Sequence, residues 1–189
     1  MAIIWGLRGK RLSRSRGSAN KSSMAYLPNS KKCFVCGEDN PAGLHIRFYV
    51  EDGLVKARWR PQAHHCGLAN VVHGGVTATL LDECMAWAAG RSFGRICMTG
   101  ELNVRFLKRV PGDQELLVCA EVVRPGRRIA HVRARLLDPT GEACAESYGR
   151  FVPVSAEETL AIDDTLLYRA GDERPFAALR AEHAPDADA

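Results

Sequence analysis

Residues 64–83 read HHCGLANVVHGGVTATLLDE and hold most of the side chains in this chain that could do chemistry. His73, Gly74 and Gly75 open a long apolar run. The first N–H groups of a helix have no partner within it and sit at the positive end of its dipole. Two glycines there let another group come close to the backbone. Such a place suits a phosphate or a developing oxyanion. Asp82 lies further along the same run, where an ionised carboxylate is costly unless paired or used. Burial would raise its pKa and fit it to act as base or nucleophile. Glu83 next to it reads as facing a solvated strip or a structural partner, or, with Gly75, as bordering a bound substrate. His64 and His65 could be ligands or bases; a loop role beside the pocket is preferred.

A distance constrains this chemistry. Gly74 and Asp82 are eight residues apart in the sequence, hence about 12 Å along one helix. The attacking group and the oxyanion donor must each lie about 3 Å from one reacting carbonyl. One helix cannot place both there, but two antiparallel copies could. If both residues act in one site, the protein should be an obligate dimer with two twofold-related sites.

The positioning elements follow from hydrophobic pattern. Residues 74–91 form the one clear helix, apolar on nearly every side and therefore buried on nearly every side. Gly90 and a turn at 92–94 should end it. Strands are expected at 44–50 and 54–60, split by a hairpin turn at Glu51-Asp52-Gly53. Four more are expected at 96–108, 115–124, 129–137 and 144–152, joined by Pro- and Gly-bearing turns. A short helix is expected at 155–160. The order predicts an α+β fold, an antiparallel sheet wrapped round one long central helix, and short turns exclude parallel βαβ units.

Length and charge set the limits. The chain has 189 residues, 46% hydrophobic and 25% charged, which suits one compact domain with tails. The expected division is a basic leader at 1–30, a folded domain at 31–154, and a partly helical or disordered tail at 155–189. No stretch approaches the length of a membrane span. The first 24 residues hold six cations and no acid, so the remainder carries −2 of the chain's net +4. The basic balance therefore belongs to a tail and is no argument for nucleic acid. That tail reads as upstream sequence before a start at Met24, as a transit peptide, or as a basic arm; the first is preferred. Seven cysteines, odd in number and scattered through apolar segments, point to reduced thiols and a cytoplasmic location. Cys33 and Cys36 form a C-x-x-C pair. Zinc would need two further ligands there, with Cys66, His45, His64 and His65 available in principle. No second paired motif stands at finger-like spacing, and no βαβ pattern suggests a redox dithiol. The expectation is a tight turn with buried thiols, and neither metal nor cofactor.

The combination of His73-Gly74-Gly75, Asp82 nine positions after the histidine, and Thr99-Gly-Glu-Leu-Asn-Val-Arg-Phe106 resembles the hotdog-fold acyl-CoA thioesterases. The leader Cys33-Phe-Val-Cys-Gly37, followed by Asn40-Pro-Ala-Gly-Leu44, resembles the phenylacetate-degradation-type branch. The resemblance covers about residues 33–152. It implies that the Gly74 N–H polarises a thioester carbonyl and that Asp82 attacks it or activates water. Thr99 would hold that water or the Asp82 carboxylate, and His73 would shape the helix start. Related enzymes often carry Asn or Gln in the loop before HGG; Gly67 stands near that position and Asn70 is the remaining candidate. Coenzyme A would need cations, for which Arg105, Lys108, Arg127 and Arg128 are proposed, with Arg109 and Arg124 nearby. The implied protein is a homodimer or dimer of dimers hydrolysing acyl-CoA. Pocket depth would depend on Met85, Trp87, Ala88 and the 33–50 leader. No Gly-x-Ser-x-Gly elbow occurs, which disfavours a serine hydrolase. Two rivals stand beside this reading: a hydratase or dehydratase of enoyl or hydroxyacyl thioesters, using His65 or His73, and an acyl-CoA-binding module without catalysis.

Overall fold

The structure is a computed structural model that describes residues 24–184; the expectations for the basic leader up to residue 23 lie outside the described residues. Helix α1 spans Gly74–Phe93. Leu80, Leu81, Cys84, Met85 and Ala89 on it are wholly buried. Each of the larger side chains contributes about 1.5–3 kcal/mol by leaving water. Gly94, left-handed at φ 63, closes the helix, and its N–H bonds the Gly90 carbonyl. Gly90 therefore sits inside the helix rather than ending it. A Cβ there would lie 3.2 Å from the Arg95 carbonyl oxygen, so the residue serves close packing.

What covers α1 is one antiparallel sheet. Its strands are β1 (Ala25–Tyr26), β2 (Tyr49–Glu51), β3 (Leu54–Trp59), β6 (Cys97–Phe106), β7 (Leu116–Arg124), β8 (Ala130–Leu137) and β9 (Ala143–Pro153). They lie in the order β1-β2-β3-β7-β8-β9-β6. Helix α1 packs on β3, β6, β7, β8 and β9. Alternation decides which face does so: Ala130, Val132, Ala134 and Leu136 of β8 are buried, while His131, Arg133 and Arg135 point to the outer face. A small ribbon, β4 (Cys66–Leu68) with β5 (Val71–Val72), leads into α1. Residues 44–48 are not paired as a strand, and His45 is left-handed at φ 53, so the expected first strand shortens to β2.

Strand β6 is the feature that matters most for function. It is ten residues long and lies at the edge of the sheet, bonded to β9 on one side only. Met98, Leu102 and Phe106 on it are 61%, 37% and 53% exposed. A long apolar edge of this kind is a template for pairing with another chain. The opposite edge, β1, has only two residues.

Residues 155–184, expected as a partly helical or disordered tail, pack on the body. Ser155 caps α2 (Ala156–Asp163) by accepting the Glu158 N–H at 3.1 Å. Arg180 on α3 (Ala177–Glu182) pairs with Asp163 at 2.6 Å. Arg91 of α1 binds Glu173 at 2.5 Å, and Phe176 is 1% exposed in the core. The apolar anchors are single and widely spaced, so no periodicity announces them.

Candidate active site

The start of α1 is organised by His73. Its backbone N–H donates to the His65 carbonyl, and its Nδ1 accepts the Gly75 N–H, both at 2.9 Å. With Nδ1 accepting, the neutral ring carries its proton on Nε2. His73 thus consumes the Gly75 donor and shapes the turn. The Gly74 N–H has no acceptor among the described residues. A Cβ on Gly74 would lie 3.4 Å from the Phe106 ring, so the end of β6 flanks this donor. Gly67 has no room for a larger side chain, because a Cβ there would come within 2.9 Å of the His73 ring.

Asp82 stands on the less covered side of α1, in line with Gly75, Thr79 and Ala86. Its Oδ1 accepts a hydrogen bond from the Thr99 hydroxyl at 2.9 Å. Burial pushes the carboxyl above its ordinary value, and the Thr99 bond works against that shift. Thr99 reaches α1 because it lies on the inward face of β6, opposite Phe151, just before a register shift between Thr99 and Glu101. The structure therefore brings Thr99 to Asp82, and Phe106 to Gly74. The two pairs lie at opposite ends of β6.

Glu83 turns away from that pair and meets the leader instead. The thiols of Cys33 and Cys36 lie 3.6 and 3.5 Å from its Oε1. Part of the residue's surface is accessible, yet protein atoms surround its carboxyl, and burial, with Cys33 adding to it, pushes that carboxyl up to about 8. Cys33 is held below the ordinary thiol range, chiefly by its hydrogen bond with Cys36, and Cys36 is correspondingly raised. The C-x-x-C pair thus gathers a carboxylate from α1 and none of Cys66, His45, His64 or His65. The structural partner that the sequence left open for Glu83 is this cysteine pair, and helical geometry points the second acid of Asp82-Glu83 about 100° away from the first.

The other predicted residues scatter. Asn70 occupies a left-handed turn (φ 56), and its carbonyl accepts the Gly112 N–H at 3.0 Å. It is tied to the β4–β5 turn. Lys108 is paired with Asp138 at 2.7 Å and with Glu142. Arg105 sits between inward Val104 and Phe106 and so points to the outer face, away from α1. Arg127 and Arg128 are exposed in the β7–β8 turn, and neither makes an ion pair among the described residues. They precede Ala130, which is level with Phe151 and, one strand further, with Thr99. Met85 and Ala88 face the core rather than a pocket. His65 is 6% exposed, leans on Trp59 at 5.1 Å between ring centroids, and accepts the Gln62 N–H. Burial, His64 and His45 lower its pKa.

The model of the thioesterase superfamily matches residues 69–145, the segment that holds Gly74, Asp82, Thr99 and the outer strands. Over this segment the chain is similar to the thioesterase superfamily. A crystallised thioesterase superfamily protein is 25% identical with a TM-score of 0.59, over 64% of this chain and 59% of that one. This chain thus spans well under two thirds of that relative's length. The PaaI protein of the phenylacetic acid degradation operon of E. coli shares the fold, with a TM-score of 0.55 at 18% identity over 59% of this chain and 81% of that one. A protein of Archaeoglobus fulgidus, provisionally named an esterase, is 24% identical over 126 residues, 67% of this chain and 71% of its own. The architecture is the hotdog fold of that superfamily, an antiparallel sheet around one long helix. No helix among the described residues is long and apolar enough to cross a membrane.

Proposed function

We propose that the protein hydrolyses acyl-CoA thioesters as a dimer whose two sites each draw on both chains. The observation that carries this is the layout of β6. One end holds Thr99 on Asp82, and the other end lies against the open Gly74 N–H. When two such edge strands pair antiparallel about a twofold axis, each Thr99 end meets the partner's Phe106 end. Asp82 of one chain then faces Gly74 of the other, and the exposed Met98, Leu102 and Phe106 are covered. This removes the 12 Å problem (about eight residues of helix rise) that one chain alone cannot solve.

In this arrangement the thioester carbonyl oxygen sits on the partner's Gly74 N–H, at the positive end of α1. The Asp82 carboxylate either takes a proton from an attacking water or attacks the carbonyl itself. Thr99 orients that carboxylate by donating to Oδ1. The thiolate takes up a proton and leaves as CoA. Attack by water gives the free acid directly, whereas attack by Asp82 leaves a mixed anhydride that a water must then hydrolyse to release the acid and restore the carboxylate. Arg127 and Arg128, level with the Thr99 end of the sheet, are placed to meet CoA phosphates. Lys108 and Arg105 are not, the first neutralised by its acids and the second on the far face. A small, little-covered helix face (Gly75, Thr79, Ala86) leaves space for an acyl chain at the interface.

His65 is packed into the core on Trp59, and His73 uses its Nδ1 on Gly75, so neither of the two histidines that the hydratase alternative would use stands as a free base beside Asp82. The test is thiol release from short, long, branched and aryl acyl-CoAs. Turnover of at least one, lowered about 10²-fold or more by Asp82→Asn, supports the reading. Binding without turnover of any, or full activity of the Asn variant, overturns it.

A further inference from the structure

We propose that Cys33, Cys36 and Glu83 form a zinc site that fastens the leader to α1. The three ligand atoms lie within 4.8 Å of one another. A tetrahedral zinc with Zn–S of about 2.3 Å and Zn–O of about 2.0 Å sets sulfur and oxygen about 3.5 Å apart. The two Sγ–Oε1 separations are 3.6 and 3.5 Å. Glu83 has these two sulfurs as its partners, with no Lys or Arg paired to it among the described residues. Three acidic groups therefore converge in protein surroundings without a cation to balance them.

The turn is shaped for ligation. Val35 donates its N–H to Cys33 Sγ at 3.3 Å, and Ser30 donates to Cys36 Sγ at 3.5 Å. Gly37 donates to the Cys33 carbonyl at 2.9 Å, and a Cβ on it would come within 2.3 Å of that oxygen. The residue after the second cysteine thus has to be glycine, and both sulfurs accept backbone N–H bonds as ligating thiolates do. Thiolate ligands select zinc over magnesium or calcium. A cleft bordered by Ser30, Trp87, Cys97 and Phe176 adjoins Cys36 and Glu83, and a water supplying the fourth ligand would enter from it.

The site has work to do. Between β1 and β2 the chain runs from 27 to 48 without a strand or helix, held by turns, a few local backbone bonds, an isolated bridge at Asn29 and buried side chains such as Val35, Leu44 and Ile46. Loops beyond about 12–15 residues without structure of their own are uncommon in compact domains. Two ligands from this loop and one from α1 pin it to the turn of helix that carries Asp82. Zinc binding here would be folding energy for the leader.

The experiment measures metal content of the full chain by mass spectrometry, then zinc affinity of the stripped protein against a chromophoric chelator. Cobalt substitution and alkylation of Cys33 and Cys36 with and without zinc complete it. The expected result is about one zinc per chain, cobalt spectra with thiolate charge-transfer bands, and protection of both thiols. Cys33→Ser and Glu83→Gln, checked for unchanged circular dichroism, each weaken binding by more than about 100-fold, the upper size for loss of a mere supporting contact. Zinc binding that neither variant alters overturns the proposal. So does a different metal in its place, or a metal-free chain in which zinc fails to protect the thiols and they simply form a disulfide.

Discussion

Replacing Gly74 by proline removes one hydrogen atom from the proposed oxyanion site and little else. Gly74 is the first residue of α1, where proline's missing N–H breaks no intrahelical bond. His73 before it has φ −60 and ψ 137, a conformation that a residue preceding proline adopts readily. A Cβ at position 74 would stand 3.4 Å from the nearest Phe106 atom, which is ordinary contact. The fold should therefore survive, while the carbonyl loses its backbone donor. Loss of one such donor costs about 10²–10³ in kcat, or about 2.7–4 kcal/mol of transition-state stabilisation. Gly74→Ala keeps the N–H and adds the same Cβ, so it controls for bulk. Steady-state thiol release on the best acyl-CoA, with thermal unfolding run in parallel, gives the comparison. A folded proline variant within about threefold of the alanine variant in kcat would refute the assignment of Gly74 as donor.

Further outcomes follow from individual contacts. Thr99→Val deletes the hydroxyl that bonds Asp82 and should lower kcat about 10-fold or more with KM little changed, since hydrogen bonds to charged groups are worth about 1.5–3 kcal/mol. His65 is buried with a lowered pKa, packed against Trp59 and near His64 and His45, and its Nε2 has no partner among the described residues. The unfolded chain binds that proton more readily than the folded one. Stability should thus be complete above the ordinary histidine value of 6.5 and decline as pH falls below it. Urea melts of the protein and of His65→Asn should show the acid decline become shallower in the variant; identical slopes would count against this. Lys108→Ala should change KM for acyl-CoA by less than about twofold, because its charge is already met by Asp138 and Glu142, whereas the joint Arg127→Ala and Arg128→Ala change should raise KM up to about fivefold.

The sheet and the central helix were legible in the sequence because their hydrophobic patterns are long and unambiguous. Residues 129–137 alternate, and 76–89 are apolar all round, which leaves few other packings. The carboxylate and the glycine pair were legible for the same reason, since an acid in such a helix has to be accounted for. For Glu83 a solvated strip and a structural partner both stood open, and the partner itself was not legible because Cys33 and Cys36 lie 50 and 47 residues away in the sequence. The surroundings of two of the cations were not legible. Alternation along β6 sends Arg105 to the outer face, and pairing partners for Lys108 lie about thirty residues away in another turn. The packed segment at 155–184 was hidden because isolated anchors such as Phe176 give no period to read. Asn70 was a candidate polar group, and its left-handed place in the β4–β5 turn gives no periodicity to read.

The shared site is tested most directly by mixing two dead variants, Asp82→Asn and Gly74→Pro, after unfolding and refolding them together in equal amounts. Random pairing makes half the dimers mixed, and in each mixed dimer one site receives an intact Asp82 and an intact Gly74. Activity should return to about one quarter of the wild-type value from two inactive parents. If each chain instead held its own complete site, every site would carry a lesion, and the refolded mixture would stay as inactive as its parents.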